Sequence, residues 1–389
     1  MKIIHVEDYF DPEAGYQINE LLKIKEKAEI WLLCSKDMKP FHKQYSKEIE
    51  NKDRNFEEKY GVKIKRLDTL FKIGSRIFYK NLKKEILKLN PDILFLHGIG
   101  DFKDLLFLFK KYPFLTFRDC HMSWIASRNK YAKLYYKFYS KTFAKIINNK
   151  DFYICIYALG IEEKEYLQVL GIKEEKIKML PHGYNKNIYF YDKNIREKFR
   201  KKLKIKNEIL ISYVGKFDNF KQPHLILKII KQLGEEYILT NKLKFLFLGP
   251  KNIDYIKNTF EPLYEDLALK IQKQIIIMPG RKAEELNEVY NGSDICLWPQ
   301  ETTLSSIHAQ VTKTLCIMEN HSSNRERVID NSNLYSIGNL DEAEKILKNI
   351  IKNEKYLKKK NEFYIENLEK REYHYQVKNL YQEWEIMCK

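Results

Sequence analysis

Residues 209–221 read ILISYVGKFDNFK. From Ile209 to Val214 the run is rich in β-branched and aromatic side chains, the continuous apolar character of a strand buried on both faces. It breaks at Gly215; Lys216 follows at once, and Lys221 comes five residues later, just before an apolar-periodic helix expected at 223–233. A strand, a glycine turn and a helix start make one βα unit. The helix N-terminus offers unpaired backbone N–H groups and the positive end of the dipole, an anion site. With two lysines beside it, the turn suits a diphosphate. The plainer alternative is a βα turn carrying two solvated lysines.

The same rhythm runs outward in both directions. Short apolar runs predict strands at 3–6, 30–34, 63–67, 93–97, 115–120, 153–157 and 177–180, with helices at 16–26, 77–89 and 131–147 between them. Beyond residue 209, strands are expected at 243–248, 274–278, 294–298, 315–318 and 334–335. The helices there are expected at 253–269 (broken at Pro262), 283–290 and 342–351. Residues 185–207 interrupt the pattern, with nine basic residues against Asp192 and Glu197, and read as a connection holding one helix at 195–202. The expected class is α/β, with two Rossmann-like doubly wound domains facing a central cleft: 1–184, a linker at 185–207, and 208–352. C-terminal helices at 353–389, broken near 370–372, would pack back toward the first domain. Ligands in such sheets bind at the carboxyl ends of the strands, so the cleft is the natural active site.

Composition narrows the class. At 44% hydrophobic and 32% charged residues, the 389-residue chain is an ordinary globular sequence, not a disordered one. The net charge of +17 implies an anionic partner, or else a generally lysine-rich background. Six cysteines, none in a C-x-x-C pair and several inside apolar runs, read as reduced thiols of a cytoplasmic protein, not as a disulfide or zinc framework. The chain opens on a strand instead of a signal peptide, and no apolar run approaches the ~18 residues that span a bilayer. Any membrane association is expected to be peripheral.

Three further constellations carry chemistry. After the strand at 294–298 come Pro299, Glu301, hydroxyls at Thr302, Thr303, Ser305 and Ser306, and a helix beginning near Ser305. These hydroxyls are N-caps on one reading; on the other, they and the helix amides hold a phosphate while Glu301 accepts from sugar hydroxyls. Phe117-Arg-Asp-Cys-His121 ends a strand, so His121 would face the cleft or else be a satisfied loop histidine. Pro181-His-Gly-Tyr-Asn185 reads as a turn closing the first half.

Taken together, these motifs resemble the GT-B glycosyltransferases of the retaining family 4 (group 1) type, over roughly residues 1–352. Gly215-Lys216…Lys221 is similar to that family's Gly-Arg…Lys pair, and Pro181 to Asn185 to its Pro-Asn-Gly-Val-Asp turn. Gly280-Arg281, with the segment from Glu284 to Asp294, is similar to its loop, helix and strand. Trp298-Pro…Glu301…Ser305…Ala309 stands where it carries two glutamates. Asp8-Tyr9-Phe10…Gly15-Tyr16-Gln17 resembles its N-terminal glycine loop. The resemblance implies that Lys216 and Lys221 bind the diphosphate beside Gly215 and stabilise the leaving group without metal or other cofactor. Glu301 would contact the donor sugar, with Thr303, Ser305 and Ser306 near its phosphates. Gly280 and Arg281 would lie beside the base, and Gly15 and His121 across the cleft. The chain departs from the pattern in three places. The second glutamate falls at His308 or Ala309, the helix has Lys313 and Leu315 where the family has Gly and Pro, and Lys216 replaces Arg.

From Arg128 to Lys150 there are seven basic residues and no acid, with Lys130, Lys133, Lys137, Lys141 and Lys145 at helical spacing. This is either the solvated face of a packed helix or an attachment to an anionic membrane surface. No nucleic-acid motif accompanies the charge. The function expected is metal-independent, retaining transfer from a nucleotide sugar to a glycan or polyprenyl-linked acceptor in surface polysaccharide synthesis, by a cytoplasmic enzyme peripheral to the membrane. The alternative is a non-catalytic GT-B subunit.

Overall fold

The computed structural model describes residues 1–23, 28–39, 41, 44–122, 131–300, 303–353, 356–357 and 368–389. Two compact units divide the chain: Met1–His182 with Tyr373–Lys389, and Gly183–Glu372.

The first unit is built on β1 (Lys2–Glu7), β2 (Glu29–Ser35), β3 (Lys63–Leu67), a hairpin of β4 (Thr69–Ile73) and β5 (Arg76–Tyr79), then β6 (Ile93–Leu96), β7 (Leu115–Cys120), β8 (Ile156–Ala158) and β9 (Ile177–Met179). Seven strands form one sheet in the order β3-β2-β1-β6-β7-β8-β9, every pair parallel. All four residues of β6 are buried, as a central strand covered on both faces requires. The helix Tyr373–Met387 covers part of this sheet. Trp384 stacks on Phe117 and meets Phe95 edge-on, and its indole N–H donates to the Tyr157 hydroxyl at 3.1 Å.

The hairpin corrects the helix expected at 77–89. Gly74 takes φ +60°, a conformation glycine adopts without steric cost, so the chain folds back and Ile77 lies in a strand; the helix begins only at Leu82. The helix expected at 131–147 is also two helices, Ala132–Lys141 and Phe143–Asn149, broken at Thr142 with φ −117° and ψ −88°. Arg128 and Lys130 lie outside the described residues.

The second unit contains β10 (Ile209–Val214), β11 (Leu243–Gly249), β12 (Ile275–Pro279), β13 (Ile295–Trp298), β14 (Leu315–Glu319) and β15 (Leu334–Tyr335). The parallel sheet runs β12-β11-β10-β13-β14-β15. In the helical segment expected at 253–269, a π turn over Ile256–Phe260 precedes Pro262, whose missing N–H cannot extend an α-helical ladder.

Residues 185–207, expected as a connection, are an integral part of this unit. The helix Lys193–Lys202 buries Phe199, and Arg196 and Arg200 reach the Asp294 carboxylate at 2.6 and 3.0 Å. Arg196 also donates to the carbonyls of Asn291 and Ser293, at the end of the helix Ala283–Gly292. Two of the segment's nine cations, Arg196 and Arg200, therefore serve this packing. At the unit's two ends, Tyr184 and Glu372 form a parallel bridge, with Tyr184 N donating to Arg371 O at 3.1 Å.

Candidate functional site

The second sheet has one topological switch point. From β10 the chain moves through β11 and β12 to one edge, then returns to place β13 on the other side of β10. In doubly wound sheets ligands bind outside the strand carboxyl ends at such a point, between the loops that follow the two strands. Gly215-Lys216…Lys221 follows β10, and after β13 the described residues include Thr303, Ser305 and Ser306. The Trp298 indole N–H donates to Val214 O at 2.9 Å and ties the two strand ends together.

Local bonding shapes the first loop. Gly215 N donates to Leu248 O and Phe217 N to Pro250 O, both at 2.9 Å, so the loop runs alongside the end of β11. The Tyr213 hydroxyl donates to Lys216 O at 2.7 Å. Asp218 accepts from Phe220 N and Lys221 N at 3.0 and 2.8 Å, an Asx turn that presents Lys221. A Cβ on Gly249 would lie 1.7 Å from Gly215 O, so only glycine permits this approach. A Cβ on Gly280 would lie 3.0 Å from Pro250 N. Gly249 completes a glycine rim at the ends of β10, β11 and β12; the Gly-Pro after an apolar run could have signalled it.

The second loop divides its hydroxyls. Thr303 Oγ1 accepts from Ser305 N at 3.2 Å, while Ser306 is fully buried and donates to Thr303 O at 2.8 Å. Ser306 thus fixes the turn's shape and does not face outward, unlike the role expected for it. Glu301 lies outside the described residues. His308, in the helix Ser305–Val311, lies against the Tyr189 ring with centroids 3.8 Å apart; burial pulls its imidazole down to about 3. Arg281, expected beside a base, is engaged by Glu288, with its guanidinium 6.0 Å from the Phe199 ring centroid. Lys313 has φ +67°, where the resembled family carries glycine, and its Nζ sits 4.3 Å from the Tyr191 ring centroid.

The first sheet has its own switch point, between β1 and β6. A cavity of about 590 Å³ opens there, with Glu7, Tyr9, Arg76, His97, His121 and Tyr135 in its lining. The β6–β7 register, Leu96 opposite Arg118, brings His97 and Asp119 together. Asp119 also accepts from Gly98 N at 2.7 Å and stands 3.3 Å from His121 Nδ1. His5 Nδ1 lies 3.0 Å from His97 Nε2, extending the chain into the core. Burial alone would lower the His121 pKa, but the Asp119 carboxylate, with Glu7, raises it to about 9, although 43% of the side chain remains exposed. His121 is therefore a cationic hydrogen-bond donor at neutral pH. Burial would raise the Asp119 pKa, yet His97 and His121 hold it well below the usual carboxylate range.

Beside this cavity lies a buried ionic cluster. Lys103 Nζ is 2.8 Å from both Asp8 and Asp101, and Arg118 bonds Asp101, Asp104 and the Gly98 carbonyl. It ties the loop after β1 to the loop after β6. Sequence reasoning missed this cluster and the Asp119–His97 pair because both join residues distant in the chain. Gly15 is exposed, and a Cβ there would meet nothing within 4 Å.

A search of curated proteins gave no match. Among solved structures, Alr3699/HepE of Anabaena in complex with UDP aligns with a TM-score of 0.72 at 12% identity, covering 99% of this chain and 100% of that one. Sucrose-phosphate synthase of Thermosynechococcus elongatus gives 0.69 at 14%, covering 99% and 98%. The lipopolysaccharide outer core galactosyltransferase WaaB gives 0.66 at 14%, covering 100% and 99%. These likenesses identify the fold as GT-B, with two Rossmann-like units. Residues 194–371, within the second unit, match the family described as Glycosyl transferases group 1, a match that supports a transferase.

Proposed function

We propose that the protein transfers a sugar from a nucleotide sugar to a glycan or lipid-linked acceptor, with retention and without a metal ion, in synthesis of a surface polysaccharide. The observation that carries this reading is the switch point of the second sheet, where Gly215-Lys216…Lys221 and the Thr303–Ser305 turn follow the neighbouring strands β10 and β13 within the segment that matches the group 1 family. Lys216 and Lys221 would neutralise charge developing on the departing diphosphate, the task a metal performs elsewhere. The bond from the anomeric carbon to phosphate oxygen breaks, the acceptor oxygen bonds to the same face of that carbon, and its proton passes to the leaving phosphate. Glu301 would orient the donor sugar and Gly15 would lie close to it. His121, held cationic by Asp119, donates a hydrogen bond to a sugar hydroxyl and does not serve as base. The HepE complexes with UDP and glucose make uridine nucleotides the first probes, and WaaB's description suggests a surface glycan as acceptor. Five of the six cysteines are buried thiols, which suits a reducing, cytoplasmic setting.

Calorimetry with uridine and guanosine diphosphates, on wild type and Lys216→Ala/Lys221→Ala, tests the assignment. The double variant should bind at least about tenfold more weakly per lysine, since a hydrogen bond to a charged group contributes ~1.5–3 kcal/mol. Equal affinity in both proteins sinks it. The neutral, stacked His308 favours one other reading, a non-catalytic subunit. Nucleotide-sugar turnover in a donor-hydrolysis assay excludes that reading.

A further inference from the structure

We propose that the outer face of the helix Ala132–Lys141, with the neighbouring segment at 105–111, docks on an anionic lipid bilayer and makes this helix the membrane-side wall of the first unit's cavity. The helix has two differently used faces. Tyr135 and Tyr136 line the cavity, and Tyr135 and Tyr139 donate to Gly100 O and Asp104 at 2.9 and 3.0 Å. Turned the other way, Leu134 is 69% exposed and Phe138 55%. An amphipathic helix packed in the ordinary manner buries such residues.

The exposed apolar surface continues across the next element. Phe143 lies 6.0 Å from Phe138 and 6.1 Å from Phe109, so one aromatic row joins the two segments. Leu105 and Phe109 are themselves exposed. Around this row stand Lys110, Lys111, Lys133, Lys137, Lys141 and Lys145, all exposed. Among the described residues none of these six lysines has a carboxylate within salt-bridge distance.

Charge and shape together select the occupant. A second copy of this chain would bring like charges together across the face. A nucleic acid would satisfy the lysines but leave Leu134, Phe138 and Phe109 against water or phosphate. An anionic bilayer satisfies both, with apolar side chains at the acyl boundary and ammonium groups among the headgroups. No described helix is long and apolar enough to cross a membrane, so attachment is to the surface. Because the same helix walls the cavity, a docked molecule holds that cavity beside the bilayer, where a lipid-linked acceptor resides. This last step rests on the transferase reading; the docking itself does not.

Vesicle co-sedimentation tests the inference, using phosphatidylcholine alone and phosphatidylcholine mixed with phosphatidylglycerol. Wild type should bind only the mixed vesicles, and less at high salt. Lys133→Gln/Lys137→Gln/Lys141→Gln should weaken partitioning about fivefold per lysine. Leu134→Ser/Phe138→Ser should weaken it at both salt concentrations. Equal binding to neutral vesicles, no binding to either, or unchanged binding by both variants overturns the proposal, as does duplex DNA competing the protein off the mixed vesicles at equal phosphate. Uridine diphosphate calorimetry on the same variants should match wild type, which establishes that they are folded. If wild type binds vesicles but no nucleotide, the transferase reading fails while the docking stands.

Discussion

His308 lies flat on Tyr189, with ring centroids 3.8 Å apart and planes 8° from parallel. A stacked imidazole in this setting stays neutral, because burial makes its cation costly and no carboxylate among the described residues offsets that cost. The expected pKa near 3 lies below the ordinary value. Stability linked to His308 should therefore be present at neutral pH and decline as pH falls below ~6.5, where the unfolded state takes up a proton. In histidine-labelled NMR spectra its resonances should stay constant from pH 8 to pH 5. A titration near ~6.5 would contradict the buried, stacked state.

The opposite sign holds at His121. Its folded pKa of about 9 lies above the unfolded value. Its contribution to stability is thus complete below ~6.5 and is lost as pH rises from there through about 9. Thermal denaturation of wild type should show falling stability across that window, and Asp119→Asn should flatten the fall. Identical profiles would mean that Asp119 does not hold the His121 proton.

Lys313 occupies a left-handed backbone position at φ +67°. Such a conformation costs a side-chain-bearing residue ~1–2 kcal/mol, and the ammonium–Tyr191 contact returns ~0.5–1 kcal/mol. Lys313→Gly should raise stability by up to about 1 kcal/mol, read from the urea midpoint. A loss would show that the cation–ring contact outweighs the backbone strain.

Two glycines should behave differently. Gly249→Ala drives a methyl into the Gly215 carbonyl and should cost more than about 3 kcal/mol or abolish soluble expression. Gly15→Ala meets no atom of the protein, so its melting temperature should match wild type. If Gly15 lies close to the donor, transfer falls in that variant while stability does not. Unchanged transfer removes Gly15 from the site.

Most strands could be read from the sequence because a sheet covered on both faces demands uninterrupted apolar runs; β3, β7, β10 and β15 match their expected limits. The hairpin escaped for the converse reason. Leu70, Phe71 and Ile73 are exposed, so β4 carries apolar residues without burying them, and the apolar spacing after Ile77 looks helical. The helix Lys47–Tyr60 buries only Ile49, Asp53 and Phe56, too few to mark a period. Within the candidate site, the Gly215-Lys216 turn was legible because strand, turn and helix are contiguous. Ser306's inward hydroxyl, Arg281's engagement by Glu288 and the Asp119–His97 pair depend on rotamers and register that no local pattern encodes.

The bridge between Tyr184 and Glu372 has a topological consequence. The second unit is a parenthesis within the first, entered at Gly183 and left at Glu372, and its two ends are held side by side. A segment with adjoining termini is a natural candidate for excision. Residues 183–372 are accordingly the fragment to express alone for nucleotide binding, and a short loop from His182 to Tyr373 would close the gap left behind.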